Sequence, residues 1–138
     1  MVAAGAAPHH TFHVFAVYPW LGLLRTGVVD EPLRVLDLCR TTPALVGSVG
    51  DDSLHVSLRP LTWSGRRLER GPWTTREVRW RQDGLAMLTA PSPGDWVSLH
   101  WDVACDRLTP QAAATLDRAT RRALRAVDAS SAAVAALA

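Results

Sequence analysis

A thiol and an imidazole carry the metal chemistry that this sequence offers. Cys39 stands four residues before Pro43, and His100 closes the run Pro93-Gly94-Asp95-Trp96-Val97-Ser98-Leu99-His100. Thiolate and neutral imidazole are both good ligands for iron, nickel or zinc, so a fold that joined them would seat one metal fragment. Arg34 and Arg40 flank the cysteine and would favour its thiolate if they lie beside it in space. Asp102 would then orient the second ring nitrogen of His100, while Trp96 and Trp101 shield the site from water. Each residue also has a plainer reading. A free cysteine is most often a small buried hydrophobe, and a strand-end histidine commonly bonds backbone. Cys105 is expected to pack.

Other groupings offer less. His9, His10 and His13 have ligand spacing only if they sit on a helix, and their neighbours read as strand or disorder. His55 falls on a strand beside a turn. Tryptophans and arginines alternate from residue 63 to 81, a mixture that binds single-stranded nucleic acid by stacking and phosphate contacts. The same alternation is what a solvated strand face looks like, and the net charge of +2 is low for a nucleic-acid binder. There is no Gly-x-Ser-x-Gly elbow, no His-Glu-x-x-His and no phosphate-cradling glycine loop, so an enzyme is not expected. Asp51 and Asp52 have the place of turn residues.

The elements that must position Cys39 and His100 are mostly strands. Residues 45–49 and 54–61 flank the Gly50-Asp51-Asp52 turn, with Leu54, Val56 and Leu58 on one face, and predict an antiparallel hairpin. Further strands are expected at 68–80, interrupted by Gly71-Pro72, then at 85–88. The clearest is 96–101, where Val97 and Leu99 oppose Trp96 and Ser98. Residues 32–39 fit a helix or a strand equally well. Before them, 11–18 reads as a strand and 20–24 as a short helical turn ending at Gly27. Thr109-Pro110 starts a helix, because threonine accepts orphan amide bonds and proline loses nothing at the first helical position. Leu116, Thr120, Ala123, Leu124 and Val127 form its apolar stripe. The expected fold is mainly β: a small OB-like antiparallel barrel with an amphipathic C-terminal helix and an N-terminal strand/short-helix extension.

Bulk properties set the frame. The chain has 138 residues, 48% apolar and 20% charged, with six tryptophans. That suits one domain with one core. Residues 1–10 read as a disordered leader, 11–128 as the domain with its helix at 109–128, and 129–138 as a disordered Ala/Ser tail. Two cysteines are too few for a disulfide scaffold. No apolar run approaches the ~20 residues of a membrane span, and the N-terminal stretch lacks the basic region of a signal peptide. A cytoplasmic protein is expected.

Two motifs resemble the HypC family of nickel-iron hydrogenase maturation chaperones, small barrels with a C-terminal helix. Cys39-Arg40-Thr41-Thr42-Pro43 is similar to that family's Cys-x-x-x-Pro, and Gly94-Asp95-Trp96-Val97-Ser98-Leu99-His100 to its Gly-Asp-aromatic-Val-x-x-His strand. The resemblance covers about residues 39–127. It implies that Cys39 and His100 hold an iron fragment with cyanide and carbonyl ligands. It also implies a partner protein, the hydrogenase large-subunit precursor or another maturation protein. The chain departs from the pattern where Thr41 and Ala44 replace glycines, and Cys39 is internal whereas the family's cysteine becomes N-terminal. The whole chain is also similar to an uncharacterised actinobacterial family associated with nickel-iron hydrogenase gene clusters.

The expectation is therefore a non-enzymatic accessory protein, with Cys39 and His100 as metal ligands and Pro43, Trp63, Trp73, Trp96 and Trp101 as partner-binding residues. The alternatives are a single-stranded nucleic-acid-binding barrel and a structural subunit of an oxidoreductase complex. In the latter Trp20, Trp63, Trp73 and Trp80 would face the partner.

Overall fold

The computed structural model of the chain describes residues 23–137, the side chains of 128–137 excepted. The expected leader, the strand at 11–18, Trp20 and the histidines at 9, 10 and 13 lie outside the described residues. Helical residues 23–25 end at Gly27, whose φ of 94° is a left-handed value that glycine adopts without steric cost. Next comes α1, Asp30–Cys39, with Asp30 and Glu31 in its first turn facing the positive end of the helix dipole. The ambiguity at 32–39 is thus resolved as helix, and Cys39 is its last residue.

Seven strands follow. They are β1 Thr42–Val49, β2 Ser53–Leu58, β3 Leu61–Trp63, β4 Leu68–Arg70, β5 Thr74–Arg79, β6 Trp96–His100 and β7 Val103–Leu108. Five of them close a barrel in the order β1-β2-β5-β7-β6, with β6 pairing back to β1. All barrel pairs are antiparallel except β5 with β7, which meet in parallel at Arg79 and Val103. This is the small OB-like barrel expected from the strand pattern, closed by five strands and antiparallel but for that one pair. Ala44, Val46, Leu54, Val56, Leu58, Val78, Val97, Leu99 and Ala104 fill it. Leu54, Val56 and Leu58 share the inner face, and Val97 and Leu99 oppose Trp96, as period-2 alternation requires.

Two strand expectations change. The segment 54–61 breaks at Arg59-Pro60, since proline has no N–H for the ladder. Beyond it β3 leaves the barrel to pair with β4 alone. Residues 85–88 form no strand: Leu85 makes one isolated bridge to Gln82 and is 78% exposed. The barrel positions beside β5 are taken by β2 and β7, so this run has no edge to join.

The C-terminal helix, α2, runs Pro110–Leu137. Thr109 caps it as expected, its Oγ1 accepting from the Ala112 N–H at 3.0 Å. The helix also continues through 129–137, in place of the expected tail, because an alanine-rich sequence is the best helix former available. Leu116, Thr120 and Val127 are buried along the predicted stripe, joined by Ala113. Val127 belongs to a second cluster with Leu24, Leu36, Leu61 and Leu68, against which Trp63, Ala123 and Leu124 pack. That cluster fixes α1 and the β3–β4 hairpin to α2, so the start of β1 has a rigid mount.

Candidate functional site

The β1–β6 ladder places Thr42 opposite Leu99 and Pro43 opposite Ser98. One step beyond it, the Trp101 N–H donates to the Leu38 carbonyl at 3.0 Å. The segments carrying Cys39 and His100 therefore lie side by side at one end of the barrel. Cys39 is half-buried and His100 exposed. The hairpin after His100 turns on Trp101 and Asp102, whose φ values of 53° and 60° are both left-handed. Such a turn ordinarily takes Asn-Gly. Placing a bulky indole there costs on the order of 1 kcal/mol or more, so neighbouring bonds must hold it. The Trp101 ring stands edge-on to the imidazole, 6.3 Å between centroids.

What holds it is a buried ionic network. Asp37, 8% exposed, accepts at Oδ1 from Arg40 and from the Leu61 N–H at 2.8 Å, and at Oδ2 from Arg76 at 2.9 Å. The other arm of Arg76 reaches Asp102 at 3.2 Å. Arg40, 2% exposed, also donates to the Arg59 carbonyl. One guanidinium on β5 thus ties the end of α1 to the β6–β7 turn. Facing two carboxylates, Arg76 has its pKa raised despite burial, whereas burial outweighs Asp37 and lowers that of Arg40.

This geometry corrects three expectations. Neither arginine activates the thiol: Arg40 is turned to Asp37 and Arg34 pairs with Glu31 on the exposed face. Burial instead pushes the Cys39 thiol above its ordinary 9.0. Asp102 is engaged by Arg76 and does not orient His100. Trp96 cannot shield His100 either, since four strand steps of ~3.3 Å separate them. Cys105 occupies the irregularity in the β6–β7 register after Ser98 and is half-buried, its thiol also shifted upward by desolvation.

A thiol pKa raised in the fold implies a pH dependence. The neutral thiol is favoured on folding, so its contribution is complete below the unfolded pKa and lost as pH rises through the folded one. Stability is expected to decline above about pH 9, and alkylation of the native thiols should reach half-maximal rate at higher pH than in the unfolded chain. Iodoacetamide kinetics on the wild type and Cys39→Ser would read this; equal profiles in native and unfolded protein would refute it.

The expected partner residues divide. Pro43, Trp73 and Trp96 meet in one groove of about 400 Å3 between the barrel wall and α2, with Pro110, Ala113 and Ala114 closing its other side. The Trp73 and Trp96 rings lie 6.4 Å apart at 58°. Trp101 is at the opposite end of β6, and Trp63 packs against the second cluster. Trp80 packs on the barrel core and donates its indole N–H to the Gly50 carbonyl at 3.0 Å, so Trp63, Trp73 and Trp80 share no face. Gly71 sets the approach to the groove. Its N–H donates to Pro60, its carbonyl accepts from Arg59, and an added Cβ would come within 2.7 Å of Thr62.

Three of the six arginines of 63–81 are matched to carboxylates, Arg70 to Asp117, Arg76 to Asp37 and Asp102, and Arg81 to Asp52, while Arg66, Arg67 and Arg79 are exposed. The three paired side chains are committed to carboxylates and not to a track for phosphates. Among the described residues no group of three or more His, Cys, Asp or Glu gathers to cage a metal ion. No helix among them is long and apolar enough to cross a membrane. Asp37 and Arg76 were not read from the sequence as site residues. Asp37 has the one available signal, an acidic residue among apolar neighbours in 33–38 that must bury with the stripe.

The sequence profile of a family of unknown function, DUF6390, matches residues 1–134, and the chain belongs to that family. No curated protein and no solved structure matches it.

Proposed function

We propose that this DUF6390 member is a non-enzymatic, cytoplasmic accessory protein of nickel-iron hydrogenase maturation. It docks the large-subunit precursor or another maturation protein and carries an iron fragment between Cys39 and His100. The observation supporting this is that the two HypC-like motifs run side by side, Thr42 and Pro43 of one pairing with Leu99 and Ser98 of the other, with Leu38 bonded to Trp101 just beyond them. A thiolate and an imidazole supply only two ligands. They suffice for cargo that brings its own cyanide and carbonyl groups, where a bare ion would need a fuller cage.

The reading has a chemical signature. Because the Cys39 thiol is held protonated, loading releases a proton and should strengthen as pH rises toward 9. Protein isolated anaerobically from hydrogenase-forming cells should show infrared bands of triple-bonded carbon–oxygen and carbon–nitrogen groups. Cys39→Ala and His100→Ala should each abolish them. Bands absent from the wild type, or persisting in both variants, would contradict the carrier role.

A further inference from the structure

We infer that the groove between the barrel and α2 is a docking site for an acidic, extended peptide segment of the partner protein, with an apolar side chain seated between Trp73 and Trp96. This deepens the docking half of the proposed function and rests on it. The groove lies at the Trp96 end of β6, away from His100, so docking and cargo use different parts of the surface.

Its walls set the apolar requirement. Trp73, 59% exposed, is the most exposed tryptophan among the described residues, and Pro43 and Pro110 flank it. Tryptophans on rigid mounts are the residues that most often anchor protein interfaces. The mounts here are rigid: Pro43 and Trp96 are on paired strands, and Trp73 directly follows the Gly71-Pro72 close approach.

The rim sets the charge. Arg59, Arg70 and Arg121 border the groove, and only Asp117 opposes them. Asp117 accepts from Arg70 and forms an ion pair with Arg121 at 3.5 Å, while no carboxylate among the described residues pairs with Arg59. The balance is therefore two positive charges over an apolar floor. The α2 N-terminus, with no acidic residue in its first turn, adds to the same sign. Carboxylates on the occupant would complete this rim, as complementary potentials do in specific interfaces. A nucleic acid fits less well. Two indoles tilted at 58° offer no parallel platform for successive bases.

The test uses fluorescence anisotropy with three labelled probes: a ten-residue peptide of Glu, Asp, Leu and Pro, the same peptide with amides in place of carboxylates, and a ten-nucleotide oligothymidine. The acidic peptide should bind at least tenfold tighter than the amide peptide and more weakly as salt rises. Trp73→Ala, at an exposed position, and Arg59→Gln, at a half-buried one whose Nε also donates to the Gly71 carbonyl, should each weaken it at least tenfold with unchanged circular dichroism. Equal binding of the two peptides, indifference to both variants, or tighter binding of oligothymidine would overturn the inference. Capture of the hydrogenase precursor separates the two proposals. If Trp73→Ala captures it as the wild type does, the groove inference fails while the maturation role stands. If the wild type captures none while the acidic peptide still binds through Trp73, the maturation role fails and the peptide site stands.

Discussion

Asp37→Ala is expected to lower folding stability by about 3–5 kcal/mol, the cost of leaving a buried charge without its partner. That is a large share of the roughly 5–15 kcal/mol that holds a domain of this kind together. Arg40 is 2% exposed, so it cannot turn to water when the carboxylate is removed. The Leu61 N–H loses its acceptor as well, and β3 with it loses its tie to α1. Arg76 would keep only Asp102. The test is urea denaturation, with Arg34→Ala as control. Arg34 pairs with Glu31 on the surface, where such a contact contributes about 0–1 kcal/mol. A double change, Asp37→Leu with Arg40→Met, should recover much of the loss, because burying neither charge removes the desolvation penalty. If Asp37→Ala proves no worse than Arg34→Ala, the network does not hold α1 to the hairpin.

The second large effect is expected at Leu54→Ala, about 2–5 kcal/mol. Leu54 is fully buried on β2, paired across to Val49 on one side and Val78 on the other. A barrel closed by five strands cannot collapse around the lost methyls without breaking ladder bonds, which places the cost toward the upper part of that range. Chemical denaturation should show a lower midpoint with an unchanged slope. Leu85→Ala is the contrast: equally apolar but 78% exposed, it should change stability by no more than about 0.5 kcal/mol. A loss below 1 kcal/mol at Leu54 would mean that the barrel interior is not the close-packed core described.

These two positions also mark what the sequence makes legible. Leu54 was readable because a half-buried strand alternates, and Val56 and Leu58 repeat the signal on the same face. β6 and the start of α2 were readable for similar local reasons: Gly94 and Asp95 form the turn that starts the strand, and Thr109-Pro110 caps the helix. Gly94 has φ of 92°, and Asp95 accepts from the Ser92 N–H at 2.8 Å. Asp37 was not readable, because its meaning lies in partners 24 and 39 residues away, Leu61 and Arg76. The environment of Cys39 is not legible locally for the same reason. Arg34 and Arg40 are near it in sequence, but helix geometry and burial send both charges elsewhere. Of the five tryptophan and proline positions expected to meet a partner, Pro43, Trp73 and Trp96 converge only because β1 pairs β6 and the Gly71 approach delivers Trp73. That is information of topology and not of spacing.

The proposed maturation role is tested most directly by capture of the nickel-iron hydrogenase large-subunit precursor on immobilised protein, comparing wild type with Cys39→Ala and His100→Ala. Both substituted side chains lie outside the barrel core, so the variants should fold as the wild type does. The proposal predicts that the wild type retains the precursor and that each variant still retains it through the separate groove but markedly lowers hydrogenase maturation in cells. Equal maturation by all three proteins would contradict the assignment of Cys39 and His100, and no capture by the wild type would contradict docking to this precursor.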